Sequence, residues 1–378
     1  MPLRPTFAEI DLDALRHNFR LLRRQAGAGR QLLAVVKADA YGHGALPVAR
    51  TLQACGADYF GVAMVAEGTA LRQGGIQRPI LVLGGAAPGE EALLLDQNLT
   101  PVIFDLPAAR RLSAAAMAAG RSCRYHLKVD SGMGRLGFVP ADLPAVLPRL
   151  ADLPGLEMAG LISHFALADQ ADHPITQTQA ERFRAMLGTV RAAGFAPALV
   201  HLSNSAGLYG PALPDCNLVR PGIALYGGLP ADYLAGEIDL RPVMRLYTTI
   251  AQLTAVPPGA GVSYGHRFVA SRPTLIAALP VGYADGYARR LSGCGEVLVR
   301  GHRAPVAGTV CMDWTMVDVT DVPAVAVGDR VTLLGRDGSE EVTAEEWAGR
   351  IGTISYEVFC LISQRVPRVY LNPEPGPA

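Results

Sequence analysis

Short apolar runs recur along the first two thirds of the chain, at 32–37, 59–64, 79–83, 100–104, 124–130, 157–165, 199–203 and 217–225. Between them, segments 45–54, 65–73, 88–96, 107–119, 140–151 and 175–193 read as helices. Consecutive apolar positions suit strands covered on both faces. A further helix is predicted over 11–26, where Leu12, Leu15, Phe19 and Leu22 share one face and Asp11 or Asp13 caps the start. Eight such units in about 240 residues match a (β/α)8 barrel, whose sites are built from the loops after the strands. A doubly wound open sheet would show the same alternation.

From about residue 242 the texture changes. VMRLYTTIAQLTAV, TLIAALPVG, EVLVRG, VAGTVCMDWTMVDV and DRVTLLG are strand-rich and separated by Gly, Pro and Asp. The expectation is an α/β barrel over 1–240 followed by a mainly β domain over 241–378. One amphipathic helix should interrupt the second domain at 343–351, with Thr343 and Glu346 as a capping-box pair. The tail PEPGPA should be loose.

Composition narrows the function classes. A hydrophobic share of 50% and a charged share of 18% over 378 residues describe an ordinary globular chain, and the formal net charge of +0 disfavours nucleic acid or an anionic membrane as partner. A small, specific ligand is the better expectation. The N-terminal stretch lacks the apolar core of a secretory signal, and no apolar run reaches the ~20 residues of a membrane span, so a cytoplasmic location is expected. Cys55, Cys123, Cys216, Cys294, Cys311 and Cys360 are scattered, with no spacing that suggests zinc, and read as reduced thiols.

Candidate chemistry starts at LLAVVKADAYGHG, residues 32–44. Lys37 ends an aliphatic run and precedes a glycine-containing loop, a setting that suits an amine that must be unprotonated to attack a carbonyl. A surface lysine capping a strand would give the same pattern. In a barrel, Lys37, Arg135, His164, Asn204, Ser205 and Arg220 would all stand near the C-terminal ends of strands.

Gly132-Met133-Gly134-Arg135-Leu136-Gly137 satisfies the dinucleotide-binding pattern, and Glu157 follows at a suitable distance. Yet the motif follows the fifth strand, and Pro140 leaves little helix for a pyrophosphate, so a turn presenting Arg135 is preferred. Ser203–Gly207 and Arg220–Ile223, after the seventh and eighth strands, could approach a phosphate or could be ordinary polar turns. His164 and His201 read as satisfied core histidines. Arg220, between Val219 and Pro221, needs a partner if buried, which a ligand nitrogen or an imidazole could supply. Tyr264, Tyr283 and Tyr287 sit among glycines, as turn packing or as phenols facing a cleft.

Taken together, AVVKADAYGHG, KVDSGMGRLGF, SHFA, HLSNSAG, RPGIALYG, GVSYGH, PVGYADGY, GTVCMDWTMVDV and TISYEV resemble the alanine racemase family, in its order and across nearly the whole chain. Departures such as Ser131 and Phe7, where threonine and tryptophan are common, touch no proposed catalytic position. The resemblance implies a (β/α)8 barrel and a β domain, pyridoxal 5'-phosphate as cofactor, alanine as substrate, no metal, and a head-to-tail homodimer with shared active sites. It implies that Lys37 carries the cofactor as a Schiff base and acts on one face of the substrate α-carbon, with the partner subunit's Tyr264 acting on the other.

By the same resemblance, Tyr41, Ser205, Gly222, Ile223 and Tyr356 would hold the phosphate. Asn204 would line the cofactor site, and Arg220 would face the pyridine nitrogen with His164 between it and Tyr264. Arg135 and the Met312 backbone N–H would take the substrate carboxylate, and Lys128 matches a position that can be carbamylated. The product would connect the chain to peptidoglycan precursors or to alanine breakdown. Broad-specificity racemases share many of these motifs. A related decarboxylase would favour an acid where Arg220 stands, a non-catalytic cofactor carrier would be a lone barrel, and a nicotinamide dehydrogenase would rest on GMGRLG alone.

Overall fold

The computed structural model describes residues 4–373. Strand β1 (Phe7–Asp11) comes first. The eight apolar runs then hold β2 (Gln31–Val35), β3 (Tyr59–Val62), β4 (Ile80–Val82), β5 (Thr100–Ile103), β6 (Cys123–Lys128), β7 (Leu156–Ile162), β8 (Leu199–His201) and β9 (Leu218–Val219). These eight run parallel in the order β8-β7-β6-β5-β4-β3-β2-β9. The two edges are tied by the Asn217 N–H to the Val200 carbonyl at 3.0 Å and the Arg220 N–H to the Ser203 carbonyl at 3.1 Å. The result is a nearly closed barrel, which removes the open-sheet alternative.

Helices cover the outer face, so the strands are apolar on consecutive positions: Leu32, Leu33 and Ala34 of β2 are all inaccessible. The helices stand at Ala45–Ala54, Val65–Gln73, Glu91–Asp96, Leu106–Ala118, Leu143–Ala151 and Pro174–Ala192. The predicted start at 88 is early because Gly89, at φ +93°, holds a turn ahead of Glu91. In the first helix, Leu12–Ala26, the Asp11 carboxylate accepts the N–H groups of Asp13 and Ala14, each at 3.0 Å. Its stripe of Leu12, Leu15, Phe19 and Leu22 is buried as predicted. Asn18 on that helix donates to the carbonyls of Leu225 and Arg241 and accepts the Arg241 N–H, clamping both ends of the connection that leaves the barrel.

Strand β1 does not join the barrel, although the sequence division at 240 placed it there. It pairs antiparallel with β10 (Met244–Thr249), Phe7 opposite Tyr247, and parallel with Arg368–Leu371. Its alternating burial, Ala8 and Ile10 in and their neighbours half out, belongs to a sheet covered on one face. The same sheet contains His302–Pro305, Glu296–Val299 and Arg330–Asp337, and a separate three-stranded sheet joins Gln252–Val256, Thr274–Leu279 and Thr315–Asp318.

Helix Ala344–Ile351 starts where Thr343 accepts the Glu346 N–H at 3.0 Å. The reciprocal half of the predicted capping box is missing, because the Glu346 carboxylate instead binds Arg303 and Arg350, each at 2.8 Å. The next helix, Ser355–Leu361, roofs the barrel mouth with Tyr356 and Cys360. Apart from Pro373, the tail expected to be loose lies outside the described residues. No helix among the described residues is long and apolar enough to cross a membrane.

Candidate active site

A cleft of about 690 Å³ opens at the C-terminal ends of the barrel strands. Lys37, Tyr41, Lys128, Arg135, His164, Asn204, Ser205, Arg220, Gly222, Ile223 and Tyr356 all line it. They come from the C-terminal ends of five different strands, the loops after them and the roofing helix, so the barrel gathers side chains that are far apart in sequence.

Lys37 does not continue its strand. β2 stops at Val35, and Ala38, Asp39, Ala40 and Tyr41 all take φ between +52° and +54°, a left-handed turn built without glycine. At ~1–2 kcal/mol per residue this conformation is costly, and it persists only where surrounding contacts over-determine it. The Glu67 carboxylate accepts the N–H groups of Ala38 at 2.7 Å and Ala63 at 2.6 Å, and the Asp39 carboxylate accepts that of Ala45 at 2.6 Å. Buried His43 reaches the Ala40 and Tyr41 carbonyls from Nδ1, and Arg368 donates to the Gly42 carbonyl at 3.0 Å. Burial lowers the His43 pKa to about 4, so the ring stays neutral.

One end of the cleft is a set of neutral donors. Ser205 Oγ accepts the Gly222 N–H at 2.8 Å, which leaves its own proton to give. Tyr41 packs against Tyr226 and Tyr356, ring centroids 5.0 and 6.0 Å away. Burial raises the Tyr41 pKa well above the usual phenol range and that of Tyr356 to about 12, so both keep their protons. Asn204 accepts the Gly207 N–H at 2.8 Å and shapes the turn that carries Ser205.

Arg220, 4% exposed, crosses the base of the cleft. Its terminal nitrogens donate to His201 Nδ1 at 2.9 Å, His164 Nδ1 at 3.2 Å and the carbonyls of Ser163 and Leu202 at 2.8 and 3.0 Å. None of these partners is a carboxylate. Burial and the Arg220 charge hold His164 at about 2 and push His201 far down, so both imidazoles are neutral acceptors. The histidines expected to be ordinary core residues are therefore the partners that keep a guanidinium buried. Its Nε takes no partner among the described residues.

The GMGRLG loop does not open directly into a helix: Phe138 and Val139 intervene before a short 3-10 turn at Pro140–Asp142 and the helix Leu143–Ala151. The Asp130 carboxylate accepts the N–H groups of Gly132, Met133, Gly134 and Arg135 at 2.8, 2.7, 2.9 and 3.2 Å, forming a nest around its own loop. Burial works against the charge there, but the four bonds prevail and hold the carboxyl below its ordinary range. The loop thus presents Arg135. Behind it Lys128, 8% exposed, is lowered to about 7 by burial and by Arg220 and Arg135.

Tyr264 and Met312 do not line this cleft. Both are on the β domain, 72% and 53% exposed, and Tyr264 rides a turn whose flanking Ser263 and His266 have φ +64° and +43°. Tyr287, by contrast, is buried against Trp347 as turn packing. Sequence reasoning missed Glu67, the Asp130 nest and His126, which bonds His201. For His126 a signal existed: His126 and Lys128 are polar residues at alternate positions of an apolar strand, which puts both on one face.

Comparison with known proteins gives a consistent answer. Residues 10–230 match the family model "Alanine racemase, N-terminal domain", and 243–370 match "Alanine racemase, C-terminal domain". The chain is 53% identical over 377 residues to an alanine racemase of Geobacter sulfurreducens, covering 99% of each chain. It is similar to the crystal structure of alanine racemase from Streptomyces lavendulae, with a TM-score of 0.93 and 39% identity over 98% of both chains. It is also similar to that from Bacillus anthracis with bound L-Ala-P, with a TM-score of 0.93 and 36% identity over 98% and 96% of the chains.

Proposed function

The chain belongs to the alanine racemase family and interconverts L- and D-alanine; on that footing we propose that its barrel cleft binds pyridoxal phosphate and that a second copy of the chain completes the site. The observation that carries the cofactor assignment is Arg220. It is buried on neutral partners with Nε free of any among the described residues, in the same cleft as the Lys37 amine and the hydroxyls of Tyr41, Ser205 and Tyr356. An amine, a guanidinium N–H and a cluster of neutral donors match the aldehyde, ring nitrogen and phosphate of that cofactor. Gly222 fits too, because a β-carbon there would collide with Tyr41.

Pyridoxal phosphate, when bound, supplies the electron sink that makes an amino-acid α-proton removable. The protein decides where that proton goes. Arg220 is always protonated and cannot hand a proton to the ring nitrogen, so electron withdrawal is restrained and return of a proton to the α-carbon is favoured over side reactions. Lys37 moves the proton on one face. Tyr264, from the partner subunit, moves it on the other, so a proton can be taken from one face and returned to the opposite one. Arg135 receives the substrate carboxylate. Lys128, with a pKa near 7, has enough neutral amine to take up carbon dioxide as a carbamate, whose negative charge would orient Arg135.

The homodimer rests on Tyr264, an exposed phenol on a strained turn, whose β domain also exposes Met312, Trp314 and Tyr283. Apolar groups displayed in this way mark an interaction surface. D-Alanine made here would supply peptidoglycan. The test is to add pyridoxal phosphate to the purified protein, follow absorbance near ~420 nm, then add L-alanine and resolve the product by chirality. A band with D-alanine formed supports the whole reading. A band without it leaves the cofactor and removes the roles given to Tyr264 and Arg135; no band removes the cofactor assignment. Running other amino acids beside alanine sets the substrate breadth.

A further inference from the structure

We propose that His126 is a positioning residue for Arg220, acting through His201 to fix the direction in which the guanidinium donates. The proposal rests on the reading of Arg220 given above, but its first test needs no cofactor.

The nitrogens of arginine only donate. Arg220 Nη1 stands 2.9 Å from His201 Nδ1, so that nitrogen accepts and the proton of the neutral His201 ring is on Nε2. His201 Nε2 stands 2.8 Å from His126 Nδ1, so Nδ1 of His126 accepts in turn and its proton is also on Nε2. Both rings are fully buried, and burial together with neighbouring arginines keeps them neutral, His126 at about 3. The two tautomers are therefore set in series by Arg220, and equally the acceptor at His126 favours the His201 tautomer that accepts from Arg220.

The far end of this chain is not in the cleft. His126 lines a second cavity, about 240 Å³, at the N-terminal ends of the strands, with Tyr59, Ser122, Arg124 and Ala159. Its Nε2 has no protein partner among the described residues. The hydrogen bonds thus cross the barrel interior from floor to mouth. The barrel makes room for them: a β-carbon at Gly160 would stand 2.7 Å from His126 Nδ1, so the glycine of β7 admits the ring.

Removing the acceptor forces a choice. With leucine at 126, the His201 Nε2–H is buried without a partner, and the other tautomer sets N–H against N–H at Arg220. The first leaves a buried donor unpaired, and the second displaces Arg220. Glutamine can still accept at its side-chain oxygen and should restore the arrangement.

The experiment is nitrogen NMR of the ¹⁵N-histidine-labelled protein as purified, at neutral pH, followed by the same spectra and cofactor absorbance for His126→Leu and His126→Gln. The expected result is both His126 and His201 protonated at Nε2 in the native chain. In His126→Leu, the His201 signal should change, the absorbance of the pyridoxal-phosphate-loaded protein should shift, and kcat should fall more than about tenfold with little change in KM. His126→Gln should recover most of each. A proton on Nδ1 of His126 in the native chain overturns the proposal even if neither variant folds. So does a His126→Leu protein whose His201 signal and loaded absorbance match those of the native chain. The expected tautomers in a protein that binds no pyridoxal phosphate would support the relay while removing the cofactor reading.

Discussion

A β-carbon added at Gly222 would stand 2.6 Å from the Tyr41 hydroxyl. That oxygen is at the end of a side chain, but the chain is not free to yield: Tyr41 is 8% exposed, lies on Tyr226 and Tyr356, and hangs from the left-handed turn after Lys37. Gly222→Ala should therefore displace Tyr41 and with it the register of Lys37. The expected cost is ~1–3 kcal/mol of stability, as for overpacking elsewhere, and a weaker hold on pyridoxal phosphate of at least about tenfold, equivalent to ~1.4 kcal/mol. Cofactor titration by absorbance and a denaturant melt read the two effects separately. Native affinity would show that Tyr41 does not hold the phosphate.

Lys128 makes stability depend on pH in a direction that can be worked out. Its folded pKa of about 7 lies below the ordinary 10.5, because burial and two arginines oppose its charge. Between those values the unfolded chain holds the proton and the folded chain does not, so this group's contribution to stability rises with pH across the window. Below it, the folded protein carries a buried cation. Lys128→Met should raise the melting temperature at pH 6 and lose that advantage towards pH 10, measured by calorimetry in buffer free of carbon dioxide. Equal gains at both pH values would mean that folding does not lower the Lys128 pKa.

The barrel was legible because burial on both faces leaves a simple trace, consecutive apolar residues. The eight strands and their helices follow from it. What escaped was structure fixed by distant contacts. β1 joins the β-domain sheet, and its partners there, β10 and Arg368–Leu371, are more than two hundred residues away in sequence. The turn after Lys37 puts four non-glycine residues in a row, Ala38 to Tyr41, in the left-handed region, and Glu67, which holds it, sits in the helix Val65–Gln73 beyond the following strand. In the site, the motif stretches located most of the lining residues, yet no spacing rule joins His126, His201 and Arg220. Only the barrel's closure stacks β6, β8 and β9 so that those side chains meet.

Arg220→Lys should be severe despite conserving charge. The guanidinium bonds two imidazoles and two carbonyls from terminal nitrogens with fixed geometry, and an ammonium at the end of a flexible stem cannot reproduce that fork. Leaving buried acceptors unpaired costs ~1–3 kcal/mol for each group lost. A loss of a few kcal/mol in a denaturant melt is expected, together with a changed absorbance of the cofactor-loaded protein. A stability close to native would contradict the view that these bonds hold Arg220 in place.

Asp130→Asn tests whether the GMGRLG loop serves to present Arg135. The amide has a single carbonyl oxygen for four N–H donors now shared between two. The loop should loosen and Arg135 should lose its aim at the substrate carboxylate. KM for alanine should rise about tenfold with a smaller change in kcat, the pattern of lost ground-state binding. An unchanged KM would separate Asp130 from substrate binding.

Tyr264 settles how many chains make one site. If Tyr264 acts on the face opposite Lys37, Tyr264→Phe should slow proton removal from one alanine enantiomer far more than from the other; equal residual rates and isotope effects in both directions would remove it as a base. Its partner subunit can be tested by mixing. In a heterodimer of Lys37→Ala and Tyr264→Phe chains, one site inherits both substitutions and the other inherits neither. After subunit exchange of equal amounts, half the dimers are mixed and each has one native site, so about a quarter of native activity should return from two inactive proteins. If Lys37 and Tyr264 of the same chain worked together, every site would keep one defect and mixing would restore nothing. Tyr264 is 72% exposed and outside the cleft that contains Lys37, which is the arrangement the first outcome requires.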